Sequence, residues 1–185
     1  MINRSGVVPI ILLGLLLLQV TTVVFPICDN PVQKTKFIHS EYIVHNPIDI
    51  ESNEDLVNQG WLGNGTEEDP YVIEGLYITN QGPCIEISDT TAHIIIKQCN
   101  FSTGVDIDDE MAINLENANN VIIENNLFFS YHAIYLRYTT GCVIRNNTMC
   151  RRGGLYIQSS NDSIIQKNAF TTFNQDPNCA AAVID

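Results

Sequence analysis

The stretch NNVIIENNLFF, residues 119–129, places three apolar β-branched residues between two pairs of asparagines. The pattern returns 21 residues later as GCVIRNNTMCR, and after another 21 as DSIIQKNAFTT. Self-similarity at a fixed period is the signature of a repeat architecture. Complete units begin without gaps at Ala112, Ala133 and Gly154, and looser or partial copies begin at Cys84 and Tyr71.

Each unit resolves into three short strands. In the first complete unit, one strand alternates through Ile113 and Leu115, the next through Val121 and Ile123, and the third carries Phe128. Alternation over four or five residues, broken by Asn, Gly, Ser and Thr, is typical of short strands with tight turns. We therefore predict an all-β fold, a single-stranded right-handed parallel β-helix (β-solenoid) of about 4–5 coils. A leucine-rich repeat has units of similar length, but these copies lack its leucine-dense pattern and its helical return segments.

Asparagine recurs at one place in three consecutive units, three residues after the isoleucine of the second strand. The residues are Asn126, Asn147 and Asn168. Asparagine tolerates the left-handed backbone of sharp corners, and stacked asparagine amides can bond to one another along a ladder. We predict such a structural ladder, which ends at Cys99 because that residue takes the same place in the preceding copy.

The pattern divides the chain into four regions. They are a signal peptide or N-terminal membrane anchor (1–27), an N-terminal region and β-helix cap (28–72), the repeats (73–170) and a C-terminal tail or truncated final coil (171–185). Within the cap, Ser52 stands three residues before Asp55, which predicts a capped short helix over residues 55–59.

Composition limits the partners and the compartment. The formal net charge of −12 disfavours a nucleic-acid partner, and the hydrophobic fraction of 45% excludes disorder. One arginine precedes an almost uncharged run over residues 6–27, as in a secretory signal or a membrane-spanning segment. We therefore expect an extracytoplasmic protein, either secreted or anchored to the cell membrane. Its six cysteines show no CxxC spacing, so some can pair as disulfides, with a connectivity that the sequence does not reveal.

Two features of the sequence are distinctive: the segment GNGTEEDPYVIEGLYI at residues 63–78 and the repeated segments VIIENN, CVIRNN and SIIQKN. They resemble the right-handed parallel β-helix repeat proteins of the NosD type, a group common among exported archaeal proteins. The resemblance covers about residues 48–170 and implies the fold. It also implies possible functions, since the group includes an accessory protein for copper-site assembly and wider relatives include pectate lyases and polygalacturonases. The NTD, DD, GHG and RIK combination of polygalacturonases is absent here.

An acidic insertion between two units is the densest group of carboxylates. Its members are Asp106, Asp108, Asp109 and Glu110. Paired carboxylates can perform acid–base catalysis, and Asp106, Asp108 and Asp109 can supply oxygen ligands to Ca²⁺. A solvated acidic loop is the alternative.

No copper site is predicted from the spacing of histidine and methionine. His39, His45, His93 and His132 are far apart in sequence, and Met111 and Met149 form no methionine-rich motif. Close groups of imidazole and sulfur ligands are what a copper site needs. Calcium is therefore the cofactor that the sequence leaves open.

The outward positions of the first strands suggest a ligand-binding strip, which we name the tyrosine strip. It comprises Asn114, Tyr135, Arg137, Tyr156 and Gln158. Aromatic faces beside hydrogen-bonding groups suit a polysaccharide or another glycan. Ordinary packing of exposed tyrosines across coils is the alternative.

A second outward column is apolar, and we name it the apolar row. It comprises Ile95, Ile122, Val143 and Ile164. An exposed apolar stripe is usually covered, so we expect either the N-terminal segment of the chain or a protein partner to lie over it.

Three functions are compatible with these features. The first is an exported cell-surface module that binds glycans or surface partners without catalysis. The second is a carbohydrate-active lyase or hydrolase that uses the acidic insertion. The third, implied by the resemblance, is an accessory protein for the assembly of an extracytoplasmic copper site.

Overall fold

The computed structural model describes residues 42–104, 111–150, 154–171 and 182–184, in which the chain winds through three parallel sheets. Sheet A contains β1 (Ile43–His45), β4 (Leu76–Asn80), β7 (Asn100–Thr103), β10 (Leu127–Phe129), β13 (Thr148–Cys150) and β16 (Ala169–Thr171). Sheet B contains β2 (Ile48–Ile50), β5 (Ile85–Thr90), β8 (Met111–Ala118), β11 (His132–Arg137), β14 (Leu155–Gln158) and β17 (Ala182–Ile184). Sheet C contains β3 (Tyr71–Glu74), β6 (Ile94–Lys97), β9 (Val121–Glu124), β12 (Val143–Arg145) and β15 (Ile164–Gln166).

Each strand pairs in parallel with its counterpart one coil away. In sheet C, Ile144 is the Cα partner of both Ile123 and Ile165, so residues 21 apart in sequence are direct neighbours. The prediction of an all-β parallel β-helix is confirmed. The physical reason is that one coil cannot bury its own apolar face, whereas stacked coils share a continuous core.

The core consists of inward-facing columns that run through the coils. Ile73, Ile96, Ile123 and Ile144 form one column and are fully buried. In sheet A, Phe101 and Phe128 stack with ring centroids 5.2 Å apart. The sheet C column ends at Ile165, which is 37% exposed. Burial of a large aliphatic side chain contributes about 1.5–3 kcal/mol, so these columns supply much of the stability.

At the corners between sheets C and A, the residues that adopt the left-handed backbone are not the ones predicted. The left-handed residues there are Gln98, Asn125, Asn146 and Lys167, with φ between 52° and 56°. The predicted ladder asparagines follow them by one position and lie outside that conformation. Each asparagine pair therefore divides two tasks, since the first residue turns the chain and the second bonds to the next coil.

A short helix, α1 (Asn53–Asn58), follows β2 and contacts it. It begins two residues earlier than predicted, because Ser52 is the N-cap and accepts a hydrogen bond from the Asp55 backbone N–H. Asp55 Oδ2 in turn accepts bonds from the Glu51 backbone N–H and the Ser52 hydroxyl, both at 3.0 Å. Leu56 is fully buried. The helix therefore packs against the core next to β2, and its role as the cap of the repeat array remains a prediction.

The predicted signal or anchor over residues 1–27 lies outside the described residues. Within the residues that the structure does describe, no helix is long and apolar enough to cross a membrane.

Candidate functional site

The ladder asparagines bond from coil to coil with both ends of their amides. Asn147 Nδ2 donates to the Ile123 carbonyl at 2.8 Å and to Asn168 Oδ1 at 3.1 Å. Asn147 Oδ1 accepts from the backbone N–H and the side-chain Nδ2 of Asn126, at 3.0 and 3.1 Å. At the end of the ladder, Asn126 Oδ1 accepts from the Cys99 backbone N–H at 2.9 Å. Each of the three amides is hydrogen-bonded within the fold at both its oxygen and its nitrogen, and Asn147 uses all four of its hydrogen-bonding positions.

Three cysteines, which we name the core thiols, are buried and free: Cys84, Cys99 and Cys142. Burial raises the pKa of Cys84 to about 12 and that of Cys99 to about 11, and it also raises the pKa of Cys142. Each thiol donates to a backbone carbonyl. Because the thiolate is the form that binds metals and reacts, the core thiols are chemically inert at neutral pH. Cys150, in contrast, is disulfide-bonded.

The tyrosine strip has the predicted register. Tyr135 is the Cα partner of both Asn114 and Tyr156, and Arg137 is the partner of Gln158. The two tyrosine rings meet edge to face, with centroids 6.4 Å apart and an interplanar angle of 84°. Because perpendicular rings cannot both lie flat against one ligand, the strip offers a single flat face instead of a continuous aromatic platform.

The polar members of the strip are already bonded within the protein. The Tyr135 hydroxyl donates to Gln158 Oε1 at 2.6 Å. Arg137 forms an ion pair with Glu116, and this hydrogen bond raises the pKa of the Arg137 guanidinium. Asn114 Nδ2 donates to Glu86 Oε1 at 3.0 Å. A sugar bound here would have to share or replace these bonds.

The apolar row is continuous and longer by one residue than predicted. Val72, Ile95, Ile122, Val143 and Ile164 are consecutive Cα partners on sheet C. All are half-buried except the last, which is 54% exposed. The next outward position carries the ion pairs Lys97–Glu74 at 3.0 Å and Arg145–Glu124 at 2.6 Å. The long stems of these basic side chains can shield part of the row. Its coverage by the N-terminal segment or a partner remains a prediction.

The acidic insertion, Asp106, Asp108, Asp109 and Glu110, lies outside the described residues, so its catalytic and calcium-binding roles remain predictions. Within the described ranges, no group of three or more His, Cys, Asp or Glu side chains is placed to hold a metal ion.

Of the histidines considered in the sequence analysis, His45 packs its ring near Trp61, and its Nδ1 lies 2.6 Å from the Asn46 carbonyl oxygen.

One juxtaposition of potential metal ligands escaped the sequence analysis. Met111 and His132 begin β8 and β11 and are Cα partners in sheet B. The His132 ring meets Tyr131 and Tyr156 edge to face, at centroid distances of 4.8 and 4.9 Å. A search for closely spaced ligands misses this pair, although the 21-residue separation is the repeat period itself. That period was the signal that could have found it.

By its fold and surface, the chain is a parallel β-helix repeat protein with half-buried outer columns of aromatic and apolar side chains. Comparison with known proteins identifies the family. Residues 39–179, more than half of the 185-residue chain, match the family described as "Periplasmic copper-binding protein (NosD)". The chain therefore belongs to the NosD family. No curated protein and no solved structure matches it.

Proposed function

We propose that this chain is an extracytoplasmic, non-enzymatic binding module of the NosD family that takes part in copper handling. The observation that carries the proposal is the family match over residues 39–179, which spans β1 to β16 of the β-helix. The name of that family refers to both the periplasm and copper.

Two observations support the extracytoplasmic location. Cys150 is disulfide-bonded, and disulfides form and persist in oxidising compartments. The uncharged run over residues 6–27 has the character of an export signal or an anchor.

The side-chain chemistry supports binding in preference to catalysis. The ladder asparagines are satisfied within the fold, and the core thiols are protonated. Among the described residues, the outer columns on sheets B and C form continuous rows of side chains that other molecules could contact. An extended repeat surface of this kind suits recognition.

The test is direct measurement of copper on the purified protein. Equilibrium dialysis against Cu(I) under ascorbate, and separately against Cu(II), is followed by elemental analysis of the protein compartment. Ascorbate is preferred because a thiol reductant would attack the disulfide. About one retained copper per chain is expected for a specific site. Copper retained at no more than the level of an unrelated acidic protein in both oxidation states would contradict the proposal.

Glycan binding by the tyrosine strip is the second candidate, favoured by the half-buried Tyr135 and Tyr156 beside amide and guanidinium groups. A glycan array tests it with wild type and the double variant Tyr135→Ala/Tyr156→Ala. Tyr77→Ala is the matched control, because Tyr77 is also a half-buried tyrosine on a β-strand, but on sheet A. A signal lost in the double variant and kept in the control supports this candidate. No signal from wild type removes it.

A further inference from the structure

The geometry points to a Cu(I) site formed by the side chains of Met111 and His132, an inference that rests on the proposed copper function and locates it. The two residues are Cα partners on β8 and β11. Neighbouring strands lie about 4.8 Å apart, and paired positions in a parallel ladder project to the same face of the sheet. A thioether sulfur and an imidazole nitrogen are thereby placed within reach of one ion.

The chemistry of the two donors selects the ion. Thioether sulfur is a soft ligand that favours Cu(I), and imidazole also suits copper, whereas Ca²⁺ and Mg²⁺ require oxygen. The thioether of Met111 carries no proton, so this donor binds the ion without the deprotonation that a thiol requires.

The environment holds the histidine in place. The His132 ring is enclosed by Tyr131 and Tyr156, at interplanar angles of 81° and 86°. Tyr156 is contacted in turn by Tyr135, whose hydroxyl bonds to Gln158. A ligand histidine commonly binds metal through one ring nitrogen and hydrogen-bonds through the other, so fixed surroundings favour binding. The aromatic part of the tyrosine strip then acts as support for a metal ligand.

Among the described residues, no other histidine is the Cα partner of a methionine. His45 is the Cα partner of Ile78, and the backbone of His93 bonds to Gly65 and Tyr71. Met149 lies in the core at 2% exposure and is paired with phenylalanines. Among the histidines and methionines that the structure describes, Met111 and His132 are the two that share a register.

The experiment is a competition titration of the purified full chain against a chromophoric Cu(I) chelator under ascorbate. The variants are Met111→Leu, which nearly conserves volume, and His132→Gln. Met149→Leu and His93→Gln are the matched controls. Loss of an outer-shell partner of a metal ligand costs about 10–100-fold in affinity, so loss of a ligand should weaken binding at least that much in each site variant. Both controls should bind as wild type does.

X-ray absorption of the copper-loaded protein supplies an independent readout, in which sulfur coordination should be present in wild type and absent from Met111→Leu. Urea midpoints of all variants establish that each one folds. If both site variants still bound Cu(I) as tightly as wild type, the proposed site would be wrong, but the proposed copper function would still be supported. No binding by wild type would overturn both. Binding weakened by both site variants and unchanged by the controls supports the site.

Discussion

Replacing Asn147 by alanine removes the centre of the asparagine ladder. The side chain is 1% exposed and makes four hydrogen bonds, two as donor and two as acceptor. In Asn147→Ala, the buried backbone N–H of Asn126 loses its acceptor and the Ile123 carbonyl loses a donor.

The magnitude follows from those lost bonds. A buried polar group left without a partner costs about 1–3 kcal/mol, and each ordinary hydrogen bond contributes about 0.5–1.5 kcal/mol. The orphaned amide and the other lost bonds together predict a fall of about 3–5 kcal/mol in the free energy of unfolding. Asn126→Ala should cost less, because that side chain makes three bonds.

Urea unfolding followed by far-ultraviolet circular dichroism measures this effect. The matched control is Asn146→Lys, because the adjacent Asn146 is exposed and left-handed, and Lys167 adopts the same conformation one coil later. We expect the control to lose no more than about 1 kcal/mol. If Asn147→Ala cost under 1 kcal/mol, or no more than the control, the reasoning on the ladder would be refuted.

The remaining predictions concern the thiols, the cap loop and the acidic insertion. At pH 8, iodoacetamide should leave the core thiols unmodified in the folded protein and alkylate them in urea, as peptide mass spectrometry would show; rapid labelling of the native state would contradict their burial. Burial raises the pKa of these thiols from an ordinary 9.0, so an unfolded chain releases their protons at a lower pH than the folded chain does. The free energy of unfolding should therefore fall as the pH rises above about 9, and the urea midpoint should fall with it. In thermal unfolding, Gly63→Ala should lower the free energy of unfolding by more than about 2 kcal/mol, because its φ is +119° and a Cβ would lie 2.1 Å from the Pro70 carbonyl oxygen. The control Gly60→Ala, where a Cβ would meet nothing within 4 Å, should lower it by about 1 kcal/mol. Equal losses in the two variants would contradict the close contact at Gly63. In a polysaccharide-degradation screen, neither wild type nor Asp108→Asn/Asp109→Asn should show turnover, whereas activity present in wild type and lost in the variant would establish an enzyme.

The sequence was sufficient for the architecture because the repeat fixes the register. Once Ile123, Ile144 and Ile165 are recognised as equivalent, period-2 alternation decides which side chains face the core. The register of the tyrosine strip and of the apolar row follows from the same equivalence, since both are outward columns of the repeat.

Backbone detail and ring geometry were beyond the sequence pattern. Both residues of an Asn-Asn pair suit a left-handed corner, so composition alone does not decide which of Asn125 and Asn126 turns the chain. The rings of Tyr135 and Tyr156 are perpendicular, and His132 on the preceding coil also meets Tyr156 edge to face; ring angles of this kind are not encoded in the register. Candidate ligands were sought at short sequence spacing, whereas in a solenoid the nearest neighbour of Met111 is one full repeat away.

A crystal structure that resolves side chains would be the most direct test of the stacking that the fold and the metal site both require. It should place Ile123, Ile144 and Ile165 in a single inward column, with His132 beside Met111 on adjacent strands. Electron density with those isoleucines on different faces, or with His132 and Met111 on strands that are not neighbours, would contradict the stacked-coil account.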